Sequence, residues 1–391
     1  MRIWNITKPL MEKNNIQFWY HPIMGGTGLQ TLLESLYPNS FKLYTDDSVI
    51  DESIQNIITF FWETNSAINL ETKTNKSEFF ELVSVLNKKG FYFLADYTTE
   101  ANNNVDLDRV EFLSKLVGCG IGLTRNFALV TNDSTYLHNV TFEYGIHTIN
   151  KLHFPHFLIN TPLQMSKYIN DVSYGEYIKP TKDFLCLNRR MQSHKFNMVK
   201  HIWESGELEN THLSWVCNKM DIESIKDEPI ISALGIDLNN FKSIQLKSDV
   251  LYGTDLDTAD EYLYTINPNW YFESKVNIIT ETNAYDSPTH ITEKTLKSIF
   301  LETPFVIFGT DKHLDVLREF GFVIFDGLIK YQPSNEYSVL QSAKELAKIY
   351  DCNFVRNACR FNRKLLLDTN NQQRILETHF IPSLKSLIKI I

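Results

Sequence analysis

"HITEKTLKSIFLETPFVIFG", running from His290 to Gly309, decides how this chain is read. Leu296, Ile299 and Phe300 recur at the three-and-four spacing that gives a helix one buried face. Thr292 stands where that helix needs an N-cap, because a threonine hydroxyl can accept from a backbone N–H that the first turn leaves unpaired. The spacing predicts a helix over 292–302. Almost without a connector, Phe305-Val306-Ile307-Phe308 follows as an evenly apolar run, the pattern of a strand buried on both faces.

The same alternation extends outward in both directions. On the C-terminal side, 311–320 reads as a helix stopped by Gly321, and 322–325 (FVIF) as another strand; from about 337 the pattern is helical only. On the N-terminal side, VNIIT (276–280) and DFLCL (183–187) read as strands, and Ser193 to Glu204 as a helix with Phe196, Val199 and Trp203 inward and Gly206 as its stop. The first half repeats the theme. IQFWY (16–20), FKLY (41–44), FYFLA (91–95), FALVTN (127–132) and HFLIN (156–160) are strand candidates. Between them, helices are expected at Leu29–Leu36 and near 51–62, 77–88 and 106–117. Strands alternating with helices imply a parallel, doubly wound sheet. The polar stretch 161–181 is read as a linker, which gives an α/β chain of two tandem Rossmann-like domains: 1–160, and 182–391 with terminal helices. In such sheets ligands bind at the carboxyl ends of the strands, and two facing sheets are expected to form a cleft.

Composition narrows the function. With 391 residues, 43% apolar and 13% aromatic, the chain can fill two cores. A formal charge of −9 disfavours indiscriminate binding to nucleic acid, which is driven by counterion release from a basic surface. Five cysteines without a C-x-x-C pair suggest reduced thiols, not a disulfide framework or a zinc site. The start, MRIWNITKPLMEKNN, lacks the apolar core of a signal peptide, and no apolar run approaches a bilayer span, so a cytoplasmic protein without membrane insertion is expected.

Ile291-Thr292-Glu293-Lys294 carries the chemistry. A helix N-terminus presents unpaired N–H groups and about half a positive charge, which suits an anion. Lys294 in that first turn opposes the dipole, so a negative ligand is expected to compensate it; Thr292 can cap the helix or face a phosphate, and Glu293 can accept from sugar hydroxyls. The bland alternative is a capped helix with surface charges. Asn188-Arg189-Arg190 follows the strand at 183–187 and precedes a helix, so the guanidinium forks can meet phosphate oxygens in pairs or simply face solvent.

The pattern "E-T-N…I-T-E-K-T-L…T-P-F-V-I-F-G…L…G-F", covering roughly Asp183 to Asp326, resembles the donor-binding region of GT-B glycosyltransferases. It is most similar to the fucosyltransferase and exostosin-like groups, in which a strand ending in Glu precedes a (V/I)-T-E-K helix and a P-(V/F)-V-x-G strand. The resemblance implies that Glu293 holds the nucleotide ribose, Lys294 the diphosphate, and that Glu281 lies near the transferred sugar. It also implies that an arginine of the Arg189-Arg190 pair neutralises the leaving diphosphate. The chain departs from the pattern at His290-Ile291, where the family has an aromatic just before T-E-K, and at Glu281-Thr282-Asn283, where the family has Glu-Asn-Ser.

Inverting glycosyl transfer needs a base on the acceptor hydroxyl. The candidates are Asp96 at a strand end, Glu100 on the following loop, and His21 after 16–20. Gly25-Gly26-Thr27-Gly28 is neither a P-loop nor a dinucleotide fingerprint, and is read as a tight turn. Two D-x-D triplets, Asp106-Leu107-Asp108 and Asp255-Leu256-Asp257, could hold a divalent ion but are read as structural, so no metal and no cofactor are expected. The expected activity is metal-independent, inverting transfer from a nucleotide-sugar donor. The acceptor is a glycan or lipid-linked sugar by default, and a hydroxylated base of viral DNA as the second option. The competing readings are a nucleotide- or glycan-binding module without turnover and a metal-dependent transferase using a D-x-D pair.

Overall fold

The computed structural model describes residues 16–20, 41–61, 76–97, 107–131, 139–142, 145–165, 179–188, 192–217, 268–282 and 291–380, with short pieces at 229–230, 244–245, 382–384 and 386. Contacts group the chain into two compact units, Met1–Asn160 with Thr369–Ile391, and Thr161–Asp368.

The first unit holds strands β1 (Ile16–Tyr20), β2 (Phe41–Leu43), β3 (Gln55–Phe61), β4 (Tyr92–Tyr97), β5 (Phe127–Thr131) and β8 (Lys151–His153). They form one parallel sheet in the order β2-β1-β3-β4-β5-β8. A small antiparallel hairpin, β6 (Asn139–Phe142) and β7 (Gly145–Thr148), precedes β8. Helices α1 (Lys76–Lys88) and α2 (Leu107–Gly118) bury Phe79, Val83 and Leu86, and Phe112, Leu113 and Leu116, in the same core as Phe60 and Phe127 of the sheet. Phe60 is the centre of that core, with Phe79, Phe112 and Phe127 rings 5.9, 6.4 and 6.3 Å away.

The second unit holds β9 (Lys182–Asn188), β10 (Thr211–Cys217), β11 (Ile244–Gln245), β12 (Ser274–Thr280) and β13 (Phe305–Phe308) in the order β11-β10-β9-β12-β13. All pairs are parallel except the edge strand β11. From β9 the chain passes through α4 (Ser193–Glu204) to β10 on one side, then returns to β12 on the other. The winding therefore reverses between β9 and β12, and the carboxyl ends of those two strands form the topological switch point where ligands of such sheets bind. After β12 come α6 (Glu293–Phe300), β13, α7 (Asp311–Glu319), α8 (Glu336–Ile349) and α9 (Asn353–Leu367); a short α5 (Pro268–Phe272) precedes β12. Gly206 and Gly321 end α4 and α7 as expected, at φ +73° and +87°, a conformation in which a side chain is strained. Among the described residues no helix is long and apolar enough to cross a membrane.

Several expectations gave way. Residues 51–62, read as helical, contain β3: Ile57, Ile58 and Phe60 are all inaccessible, and a continuous apolar run in a central strand has no alternation to mark it. HFLIN, read as a strand, opens helix α3 (His156–Met165), which extends into the stretch read as a linker and tolerates Pro162 in its interior. FVIF at 322–325 joins no sheet. The buried amide of Asn362 on α9 accepts from Val323 N–H and donates to Val323 C=O, both at 2.7 Å, and so takes the place of a ladder partner. Finally, the terminal helices do not all belong with the second unit. From α10 (Thr369–Ile375) and the π-turn Leu376–Phe380 onward they group with the first, where Phe380 packs its ring 5.2 Å from that of Phe154.

Candidate functional site

At the switch point the strand ends are fastened by polar side chains. Asn188, the last residue of β9, is buried; its backbone N–H donates to Ser214 Oγ of β10 at 3.2 Å, its Nδ2 to Cys186 Sγ at 3.3 Å, and its Oδ1 accepts from the hydroxyl of Thr280 on β12. Asn188 was expected to face a donor. Its amide is instead spent on joining β9 to β12, because a buried amide left without partners costs about 1–3 kcal/mol.

Glu281, the residue after β12, is fully inaccessible, yet its carboxylate is ionisable and well supplied with donors. It accepts from Thr292 N–H at 3.3 Å, Thr292 Oγ1 at 2.6 Å and Thr295 Oγ1 at 2.6 Å. Lys294 Nζ lies 3.9 Å away and also donates to Thr282 Oγ1 at 3.3 Å. Burial pushes the Glu281 carboxyl upward, but Lys294, His313 and the two threonine hydroxyls outweigh it and hold the group below its ordinary value of 4.5. Its C=O accepts from His194 Nε2 at 2.8 Å, and since a carbonyl only accepts, Nε2 carries the proton. Burial lowers His194 to about 4, helped by Lys195 and Lys294, so the ring is neutral near pH 7.

Glu281 therefore bonds to the first turns of two helices, α4 through His194 and α6 through Thr292 and Thr295. Two helix N-termini, each worth about half a positive charge, converge with Lys294 at the end of β12. Thr292 is the N-cap of α6, as expected, with its Oγ1 accepting from Lys294 N–H at 3.3 Å. Its hydroxyl is buried and donates to Glu281, so it does not face a phosphate. Nor does Glu281 face a sugar: its carboxylate points into the helix start. The negative partner anticipated for Lys294 is, in this chain, Glu281 itself. Glu293 is partly exposed and, among the described residues, has no hydrogen-bond or ion-pair partner, which leaves its oxygens available to hydroxyl donors.

Asp96 is the next-to-last residue of β4, in register with Phe61 and Val130, and has no exposed surface. His21, Glu100, Arg189, Arg190, the glycines at 25–28 and the acidic residues Asp106, Asp255 and Asp257 lie outside the described residues. His194, Thr280 and Thr295 were missed from the sequence. Nothing local marks His194 and Thr280, because their partners Glu281 and Asn188 lie 87 and 92 residues away and are brought near by the pairing of β9 with β12; Thr295 meets Glu281 across 14 residues.

The His194 environment has a measurable consequence. The unfolded imidazole takes up a proton near its ordinary 6.5 and the folded one only near 4, so between those values the unfolded chain binds more protons and stability falls as pH falls. The full difference is about 3 kcal/mol at most. Urea midpoints from pH 7 to pH 4 should show this loss, and His194→Gln, whose amide can still donate to the Glu281 carbonyl, should remove that part of the slope. Glu281 itself adds a further loss only below about pH 4.5, where its depressed carboxyl begins to be protonated preferentially in the unfolded chain.

No family model and no curated protein matches the chain. Among solved structures it is similar to an alpha,alpha-trehalose-phosphate synthase (UDP-forming) from Burkholderia vietnamiensis, at 9% identity and TM-score 0.46, over 96% of this chain and 100% of that one. It is also similar to the UDP-forming enzyme from Burkholderia xenovorans, at 10% identity and TM-score 0.41, over 85% and 73% of the two chains. For the alpha,alpha-trehalose 6-phosphate synthase of Burkholderia multivorans the values are 12% and 0.34, over 95% and 98%. At such identities and scores the likeness says nothing about substrate.

Proposed function

We propose that this chain is a glycosyltransferase of the GT-B type, whose second unit holds a nucleotide-activated sugar and which transfers that sugar with inversion and without a divalent metal. The observation that carries the reading is the convergence of the α4 and α6 N-termini on Glu281 at the switch point, with Lys294 and Glu293 in the same first turn. Breaking a glycosidic phosphate bond builds negative charge on the leaving diphosphate. An ammonium group and the positive end of a helix dipole placed there stabilise that charge. Arg189 and Arg190, which follow β9 in the sequence, belong to the same reading as further phosphate partners, and Glu293 as the acceptor of hydrogen bonds from ribose hydroxyls. The base on the acceptor hydroxyl is sought among Asp96, Glu100 and His21. A glycan or lipid-linked sugar is the acceptor of choice, with a hydroxylated DNA base second.

Melting the purified protein against a panel of nucleoside diphosphates and nucleotide-sugars, with and without EDTA, tests the reading. One nucleoside diphosphate should raise the melting temperature, indifferent to EDTA, because a ligand bound only by the native state stabilises it. A shift that EDTA abolishes would return the D-x-D triplets to consideration, and no shift at millimolar ligand would sink the donor site. The complete burial of Asp96 favours a second reading, a fold that grips the nucleotide without turnover. Asp96→Asn separates the two: a transferase using Asp96 keeps the melting shift and loses sugar transfer, whereas a binding module transfers nothing before or after the change.

A further inference from the structure

The carboxylate beneath the proposed anion site is itself an anion, and that has a cost for any diphosphate bound there. Glu281 is inaccessible, and three protein donors, the Thr292 N–H and the hydroxyls of Thr292 and Thr295, already satisfy it at 3.3, 2.6 and 2.6 Å. The Lys294 ammonium is the remaining partner and the most remote, at 3.9 Å, beyond hydrogen-bond length. Its own hydrogen bond goes elsewhere, to Thr282 Oγ1 at 3.3 Å, and its side chain is 19% exposed. Lys294 is thus attracted to Glu281 by charge alone. It can turn toward a ligand without leaving the carboxylate short of hydrogen bonds.

We propose that Glu281 is an internal rival of a bound diphosphate: it competes for Lys294 and repels the ligand, and so caps the affinity of the donor site for the diphosphate that remains after transfer. This rests on the donor-site reading above. A phosphate oxygen within about 3 Å of Lys294 Nζ lies no more than about 7 Å from the Glu281 carboxylate, close enough for like charges to be felt strongly in a buried setting. The cap serves turnover, because a site that held the leaving diphosphate through two helix N-termini and an unopposed lysine would release it slowly.

The sign of the effect separates this role from a merely structural one. Glutamine in place of Glu281 keeps the shape and can still pair with both threonine hydroxyls, but carries no charge. Isothermal titration with inorganic pyrophosphate, at fixed ionic strength and near pH 7.5, should show Glu281→Gln binding roughly tenfold more tightly than the unaltered chain. A residue that only holds the helix start in place would give equal or weaker binding when altered, and that result in a folded variant overturns the inference. If Glu281→Gln does not fold, Thr282→Val carries the test. It removes the hydroxyl that draws Lys294 away from Glu281, at a partly exposed position, and pyrophosphate affinity should fall several-fold; unchanged affinity overturns the inference. The two readings fail differently. If the unaltered chain binds neither pyrophosphate nor any nucleoside diphosphate, the donor site falls and this inference with it. If the chain binds pyrophosphate and Lys294→Ala loses it, while Glu281→Gln gains nothing, the donor site stands and only the rival role is wrong.

Discussion

Lys294→Ala and Glu293→Ala should both reduce, by about half or more, the melting shift that a nucleoside diphosphate gives the unaltered chain, and they do so for different reasons. A ligand at one hundred times its dissociation constant stabilises the native state by about 2.7 kcal/mol. Removing an ammonium–phosphate contact, a charge-assisted hydrogen bond, costs about 1.5–3 kcal/mol, which raises the dissociation constant at least tenfold and cuts that stabilisation at the same concentration to about 1.4 kcal/mol or less. Lys294→Ala also takes a counter-ion from a buried carboxylate, so its own melting temperature falls before any ligand is added. Glu293→Ala touches no partner among the described residues, and only the interaction of an acidic side chain with the α6 N-terminus is lost, about 0.3–1 kcal/mol. Its unliganded stability should therefore stay close to that of the unaltered chain. Because the proposed contact is to ribose, Glu293→Ala should lose affinity for the nucleoside diphosphate and keep it for inorganic pyrophosphate. Equal losses for both ligands would overturn the ribose contact.

Phe60→Ala should cost the first unit about 3–5 kcal/mol, the range for emptying a buried aromatic site. Phe60 is the next-to-last residue of β3 and has no exposed surface; it is ringed by Phe79 of α1, Phe112 of α2 and Phe127 of β5. Those three neighbours come from three elements that cannot all move inward to fill one space. The cavity therefore persists, and its cost adds to the lost transfer energy of the ring. Urea unfolding followed by tryptophan fluorescence and by far-ultraviolet circular dichroism would read the loss. Phe361→Ala is the control. That ring lies on α9 with 49% of its surface exposed, and its removal should change stability by no more than about 0.5 kcal/mol.

The local signals in this chain were legible where the physics is local. Thr292 caps α6 because its own side chain reaches a backbone group two residues on, and Gly206 and Gly321 stop α4 and α7 because only glycine adopts positive φ without strain. Most strands and helices, and the doubly wound character of both units, follow from the same short-range periodicities. Where a segment's state depends on what covers it, the pattern misled. The run at 55–61 is a strand because neighbours flank it on both sides, and 322–325 is not one because Asn362 already occupies its backbone. Placing the final helices with the first unit likewise took a contact, Phe380 on Phe154, that no nearby residue announces.

The candidate site divides along the same line. The sequence by itself determined that a lysine and two glutamates stand near the start of one helix after one strand, since these are matters of order along the chain. Only the tertiary structure decided which way each side chain is spent. Sheet pairing of β9 with β12 brings His194 to the Glu281 carbonyl across 87 residues, and burial obliges Glu281 to turn its carboxylate onto Thr292, Thr295 and Lys294, where hydrogen bonds and charge offset the loss of water.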